Sequence, residues 1–206
     1  GRGVCLGLPS AALALRFIHP TRGSITLGPD GWAPWEVPAQ RGGELLVAGR
    51  HVCPGYFRNP DAFARAKVVD GEGRAWHRTG DVCTRDDAGR LWMLGRVHNA
   101  IHRGDDVLFP MDAELLMGSL PFVGSAAYVG IPDPALHEAA WAVFTRAGDV
   151  SADEARQTIA AELARAGIPV DRVVHTEAIP MDPRHHSKVD VDALRALLLA
   201  DGTSAR

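Results

Sequence analysis

The first 95 residues alternate short apolar runs with turns and carry no long helical pattern. "ALALRFI" (12–18) alternates in part, as a half-buried strand does. "GELLVAG" (43–49) is a short apolar run bounded by glycines, and "LWMLG" (91–95) is another, entered through the turn "DDAGR" (86–90). Only "NPDAFARAK" (59–67) reads as a helical turn or two. This stretch is expected to be a small β-rich unit, a distorted barrel.

After Arg96 the periodicity changes. "AIHRGDDVLF" (100–109) predicts a hairpin turning at Gly104–Asp105. "PMDAELLMGSL" (110–120) has Pro at a helix start and apolar residues at helical spacing. "VGSAAYVGI" (123–131), "AAWAVFT" (139–145) and "RVVHTEAI" (172–179) read as strands. "SADEARQTIAAELARAG" (151–167) is the clearest helix: Ser151 caps it, Glu154 completes a capping box and Gly167 ends it. "VDVDALRALLLA" (189–200) is a closing helix, and the tail "DGTSAR" is expected to fray. The pattern contains no repeat. The expected fold class is α+β, with 1–96 as the β-rich unit and 97–206 as a compact α+β domain.

Composition narrows the function. The chain has 206 residues, 46% hydrophobic, with a formal net charge of -3. That balance gives no electrostatic footprint for nucleic acid or an anionic membrane. No apolar run reaches the length of a membrane span, and no signal peptide is expected. Three scattered cysteines, Cys5, Cys53 and Cys83, form neither a zinc spacing nor a disulfide framework, which fits a reducing, cytoplasmic setting. The chain opens "GRGVCLG", without Met and directly in structured-looking sequence, and is expected to be the C-terminal part of something longer.

Three stretches carry candidate chemistry. "WHRTGDV" (76–82) reads as a strand ending in a turn, with Gly80 at positive φ. Asp81 is then either a solvated turn residue or a carboxylate held to accept hydrogen bonds from two vicinal hydroxyls, as on a ribose. "GRVHNAIHRGDDVLFPMDAE" (95–114) is either a connector with an exposed hairpin, or a strand end presenting Arg96 to ribose or phosphate oxygens, followed by a hinge. "MDPRHHSKVD" (181–190) places Lys188 at a helix start, where it opposes the helix dipole. Local stability does not explain that lysine. A solvated basic loop is the plain alternative. His185 and His186 make a poor metal pair, since neighbours on an extended chain point apart and no third ligand is near, so no metal site is expected.

Together, and in this order, the stretches resemble the C-terminal third of the acyl-adenylate-forming (AMP-dependent synthetase/ligase) superfamily. "GELLVAGRHVCPGYFRNPDAFARAK" is similar to that family's "GE…V.G..V..GY" segment through Gly43, Glu44, Gly49, Gly55 and Tyr56. "WHRTGD" is similar to its "YRTGD", "GRVHNAIHRGDDVLFPMDAE" to its "GR.D..I…G..I.P.EIE", and "HHSKVDVDALR" to its closing lysine motif. A nearer resemblance, through 76–96 and 180–188, is to the olefin β-lactone synthetases, and fatty-acid–CoA ligases share the same features.

The resemblance implies residue roles. Asp81 would bind the ribose hydroxyls of ATP or AMP, and Arg96 would assist at the ribose or phosphate. Lys188 would bridge the substrate carboxylate and the α-phosphate as the acyl-adenylate forms. His98 stands where the family usually has an Asp or Lys hinge. The hairpin of Arg103, Gly104 and Asp105 would serve a second half-reaction after the 97–206 domain turns as a mobile lid. The parent would use ATP with Mg2+, and CoA where the product is a thioester. Its substrate would be a fatty or β-hydroxy acid, and its product a β-lactone or an acyl thioester. Its partners would be the missing N-terminal part of the adenylation domain and enzymes of a fatty-acid or hydrocarbon pathway. The family's Gly-rich phosphate loop is absent from these 206 residues, so the isolated chain is expected to be inactive. The rival expectation is a non-catalytic binding module derived from such a domain.

Overall fold

A computed structural model of the chain describes residues 3–183 and 188–202. It divides into two compact units, Gly1–His98 and Asn99–Arg206.

The first unit is built on one antiparallel sheet. Its strands are β1 (Val4–Gly7), β2 (Ala14–Ile18), β3 (Gly43–Ala48), β4 (Lys67–Val69), β5 (Ala75–Arg85) and β6 (Leu91–Arg96). They run in the order β1-β6-β5-β3-β2, with β4 also paired to β5. Alternation sends neighbouring residues to opposite faces: Ile18 and Leu46 pack with Trp32 and Trp76, whereas Phe17 and Leu45 pack with Cys83 and Leu91. One short helix, α1 (Pro60–Ala66), starts at Asn59, whose side chain accepts from the Ala62 amide.

Two hairpins of this sheet share one device. "DGEGRAW" (70–76) joins β4 to β5 and "DDAGRLW" (86–92) joins β5 to β6. In each, the Asp amide donates to the carbonyl of the Arg four residues on, and the Arg amide donates back to the Asp carboxylate. Gly73 and Gly89 take positive φ to close the loop. The second carboxylate oxygen accepts the indole N–H of Trp76 at 2.8 Å, or of Trp92 at 2.9 Å. This corrects the expectation of no repeat: the motif D-x-x-G-R-x-W occurs twice, too short and too degenerate to register as a repeat before its hydrogen bonds are seen.

The hairpins make a pH prediction. The Trp92 indole, followed by the Arg90 amide and guanidinium, holds the Asp86 carboxyl down to about 2, and the same arrangement lowers Asp70. A depressed carboxyl stabilises the fold above its unfolded value. The stabilisation is lost as pH falls from about 4 towards about 2. Acid titration of tryptophan emission should show a transition in that window. Asp86→Asn should remove part of it, and Asp70→Asn/Asp86→Asn together should flatten it further.

The second unit is a sheet between helices. Its strands are β7 (Ile101–Arg103), β8 (Asp106–Leu108), β9 (Val123–Asp133), β10 (His137–Arg146) and β11 (Arg172–His175); its helices are α2 (Pro110–Gly118), α3 (Ala152–Arg165) and α4 (Val191–Gly202). β10 is central. It pairs antiparallel with β9 along its length and with β7 at His137, and parallel with β11. Tyr128, Ala140 and Phe144 face α2 and α3, packing on Met117, Ile159 and Leu163. Ala127, Val129, Ile131 and Val143 face α4, packing on Leu194 and Leu198. The Ser151 hydroxyl caps α3 by accepting from the Glu154 amide. Gly167 at φ 69 closes it, with Gly167 donating to Ala164 and Ile168 to Leu163. The fold is α+β, as the sequence leads one to expect.

Three expected boundaries move. β5 does not end at the T-G-D stretch but runs through it to Arg85. β11 stops at His175, because the chain turns at Thr176, whose hydroxyl donates to the Ala178 carbonyl. The closing helix starts at Val191 rather than Val189, because Val189 bridges Met181 and Asp190 caps the helix through the Ala193 amide.

Candidate functional site

In "RTGD" (78–81) each residue has its own task. Arg78 is buried and reaches across to Glu44, which is 1% exposed, 34 positions earlier. Its Nε donates to Glu44 Oε1 at 2.9 Å and its Nη2 to Oε2 at 2.6 Å. The same guanidinium donates to the carbonyls of Thr21 and Gly23. One side chain thereby ties β5, β3 and the loop after β2. The Thr79 hydroxyl donates to the Leu45 carbonyl at 2.8 Å and accepts the Asp81 amide at 3.0 Å. Gly80 has φ 70, and a Cβ there would sit 3.4 Å from Arg96 Nη2. The register shift in the β3–β5 ladder, where Glu44 pairs with Val82 and Leu46 with Arg78, marks the stretch as a bulge inside a strand, not a turn at its end.

The bulge delivers Asp81 directly opposite Arg96 on β6. Arg96 Nη1 stands 2.8 Å from Asp81 Oδ1, with both side chains partly exposed. The pairing is close but off the hydrogen-bond direction: Asp81 Oδ1 and Arg96 Nε are buried atoms that make no hydrogen bond in the protein. Buried polar atoms without partners are uncommon and call for a reason. Neighbouring Cys83 is fully buried, and burial, then the Asp81 charge, push its thiol up to about 12. It is an inert core residue.

Beside the pair lies a groove of about 560 Å³ whose lining includes Tyr56, Arg65, Arg78, Gly80, Arg96 and His98. All of it belongs to the first unit. Sequence reading singled out Asp81, Arg96 and His98. It gave no role to Arg78 or Arg65, and quoted Glu44 and Tyr56 only as pieces of a motif. A signal for Glu44 existed, an acid at the head of an apolar run, but nothing local joins it to Arg78, 34 positions away.

His98 is exposed and is the last residue of the first unit, inside a 3-10 turn, Val97–Asn99. The other candidates lie in the second unit. Gly104 takes φ 57 at the tip of the β7–β8 hairpin, and its amide donates to the Leu136 carbonyl. Asp105 is exposed at the same tip. Arg103 is already engaged: its Nε and Nη2 donate to the two carboxylate oxygens of Asp171 at 2.9 and 2.7 Å, and Asp171 also accepts the Ala140 amide. The Arg103 bond, more than the Ala140 bond, lowers the Asp171 carboxyl. Arg103 therefore anchors one arm of the hairpin. Lys188 is exposed, and its carbonyl accepts the Asp182 amide at 2.7 Å beside the Met181–Val189 bridge. His185 and His186 lie outside the described residues. Among the described residues, no group of three or more His, Cys, Asp or Glu side chains forms a ligand set for a metal. Among the described residues, no helix is long and apolar enough to cross a membrane.

No protein-family model matches the chain. It is 35% identical over 116 residues to the acyl-CoA ligase sidI of Aspergillus fumigatus, covering 56% of this chain and 20% of that protein. It is 28% identical over 202 residues to the olefin beta-lactone synthetase of Xanthomonas campestris pv. campestris, covering 94% of this chain and 36% of that protein. The amide bond synthetase McbA of Marinactinospora thermotolerans superposes with a TM-score of 0.72 at 25% identity, over 94% of this chain and 36% of that one. The chain is thus a relative of the acyl-adenylate-forming enzymes, acyl-CoA ligases and an olefin beta-lactone synthetase among them. It spans between 20% and 36% of the length of these relatives.

Proposed function

We propose that the chain is the C-terminal portion of an ATP-dependent acid–AMP ligase. In the first step a carboxylate oxygen attacks the α-phosphorus of ATP. A P–O bond forms, the bond to the β-phosphate oxygen breaks, and pyrophosphate leaves with the electron pair. In the second step a nucleophile takes the acyl group and AMP leaves. The first unit would hold the nucleotide and the second would act as the lid, with His98 as the hinge between them. A fatty or β-hydroxy acid is the substrate class that the kinship with the beta-lactone synthetase favours.

The observation that carries this reading is the Asp81–Arg96 pair. Two buried polar atoms, an acceptor and a donor, lack hydrogen bonds at the edge of a groove. A ribose supplies two vicinal hydroxyls, which suit a carboxylate as a double acceptor, and a phosphate oxygen suits the guanidinium. Gly80 leaves room for that guanidinium, and the Thr79 bonds fix the angle of Asp81.

Asp81→Ala in the full-length parent should weaken ATP binding strongly. It removes two charge-assisted hydrogen bonds of roughly 1.5–3 kcal/mol each. Calorimetric titration with ATP checks this, and unchanged affinity would return Asp81 to a merely structural place in the bulge. A non-catalytic module remains the rival reading. A parent that binds ATP but exchanges no pyrophosphate with any acid would favour it.

A further inference from the structure

The two D-x-x-G-R-x-W hairpins differ in one bond. In the second, Arg90 closes the motif on itself: its Nε donates to Asp86 Oδ2 at 2.8 Å. In the first, the amide and indole bonds to the Asp70 carboxylate are in place, but among the described residues the Arg74 guanidinium makes no hydrogen bond to it. Its ion pair is with Glu72 at 3.9 Å, and with both side chains more than half exposed that contact contributes little. Arg74 lies over the Trp76 ring, as Arg90 lies over that of Trp92, and lines a recess of about 420 Å³. This recess shares no lining residue with the groove beside Asp81 and Arg96. It sits at the Ala48 end of β3, whereas the groove sits at the Glu44 end. Its apolar lining is Ala12, Ala14, Ala48 and Ala75, with Val52 and Pro54 from the loop after β3. Ala14 and Ala48 are cross-strand partners, and side chains this short leave the space open. The loop comes in close: a Cβ on Gly49 would sit 2.8 Å from the Ala12 carbonyl oxygen, and the Val52 amide donates to the Gly49 carbonyl at 3.0 Å. A second cation, Arg50, is exposed and makes no hydrogen bond, ion pair or ring contact among the described residues. Among the described residues, no carboxylate lines the recess.

We propose that this recess is a binding site for a small organic oxyanion with a short apolar body. Arg50 and Arg74 would take the oxyanion, and the alanines would take the body. A guanidinium is a planar fork that matches carboxylate and phosphate oxygens in pairs. A volume of this size is that of a small-molecule site, and such sites are mostly apolar with a few placed polar groups. Solvation alone accounts for an exposed arginine. It does not account for one copy of a motif bonding its arginine inward while the other leaves its arginine at an apolar recess. The proposal goes beyond the ligase reading and needs neither Asp81 nor Lys188. A carboxylate and a phosphate monoester share the chemistry that the recess recognises.

The recess lies within one unit of this chain, so the test uses the chain itself. Calorimetric titrations would compare hexanoate, hexyl phosphate, hexanol and inorganic phosphate. Hexanoate or hexyl phosphate should bind saturably, and more weakly as salt rises. Hexanol lacks the charge and inorganic phosphate lacks the body, and each should bind about tenfold more weakly or worse. Arg50→Gln and Arg74→Gln should each weaken binding by about tenfold, the weight of a charge-assisted contact. Arg90→Gln, in the hairpin that bonds its arginine inward, should leave binding unchanged. Circular dichroism should show all three variants folded. Labelled alanine methyls place the ligand: Ala12, Ala14, Ala48 and Ala75 should shift, while Ala62 and Ala66 of the other groove stay still. Tighter binding of hexanoate would assign the site to carboxylates, and tighter binding of hexyl phosphate to phosphate esters; both support it. No saturable binding, hexanol or inorganic phosphate binding as tightly as the anionic hexyl compounds, or indifference to both Arg50→Gln and Arg74→Gln would overturn it. So would shifts confined to Ala62 and Ala66. Failure of the ribose role of Asp81 would instead appear in the ATP titrations of the parent and leave these results untouched.

Discussion

If the parent is the ligase proposed above, Lys188→Ala in it should cut acyl-adenylate formation by roughly 10²–10³-fold, the usual cost of removing one charge-stabilising group from a transition state. It should leave the second step, started from supplied acyl-adenylate, nearly intact. The structure makes this a clean experiment. The Lys188 side chain is exposed, and the bonds around it that the structure describes do not use it: its carbonyl accepts the Asp182 amide, Met181 bridges Val189, and the Asp190 carboxylate caps α4 by accepting the Ala193 amide. Truncating the side chain disturbs none of them. The loss should fall on the rate of the first step rather than on ATP affinity, because the charge matters where negative charge gathers. Lys188→Arg should rescue poorly, since a planar fork does not replace a compact ammonium between two oxygens. Both half-reactions must be timed separately. Equal loss in both would make Lys188 a residue of the fold and not of the chemistry.

Much of the second unit could be read from the sequence because its signals are local. Helix α3 carries its cap, its period and its terminating glycine within one continuous stretch, and the structure reproduces all three. The first unit was harder. β4 has three residues, too few for a period, and β1 exposes Val4 and Leu6, so neither pattern separates core from surface. Strand β5 carries a glycine at positive φ in its middle, which imitates a turn unless the neighbouring ladders are known. The same limit governs the site. Asp81 and Arg96 could be named from their motifs, but their facing positions depend on the pairing of β5 with β6, which the motifs do not show. The engagement of Arg103 by Asp171, 68 positions away, leaves no local trace at all.

Breaking the Glu44–Arg78 pair should have the largest effect on stability. The two side chains are 1% and 7% exposed, and the guanidinium is spent on four acceptors. Removing one partner of such a pair strands the other in a medium that cannot solvate it, at a cost of roughly 3–5 kcal/mol. Arg78→Met should reach that range, because it leaves the Glu44 carboxylate buried and the carbonyls of Thr21 and Gly23 unpaired. Glu44→Leu should cost less, because Arg78 keeps those two carbonyls. The double variant Glu44→Leu/Arg78→Met should recover much of the loss, as apolar replacements of buried pairs do. Urea denaturation read by tryptophan emission reports on the right part of the molecule: Trp32, Trp35, Trp76 and Trp92 are all in the first unit, and Trp141→Phe silences the second. Recovery of stability should not bring recovery of the site. The double variant no longer ties the loop at Thr21–Gly23 to β5, and that loop carries one wall of the groove. Ligand binding should therefore stay weak while the urea midpoint returns. Strictly additive losses in the double variant would mean the pair is not coupled, and normal ligand binding in it would mean that the groove does not depend on this tether.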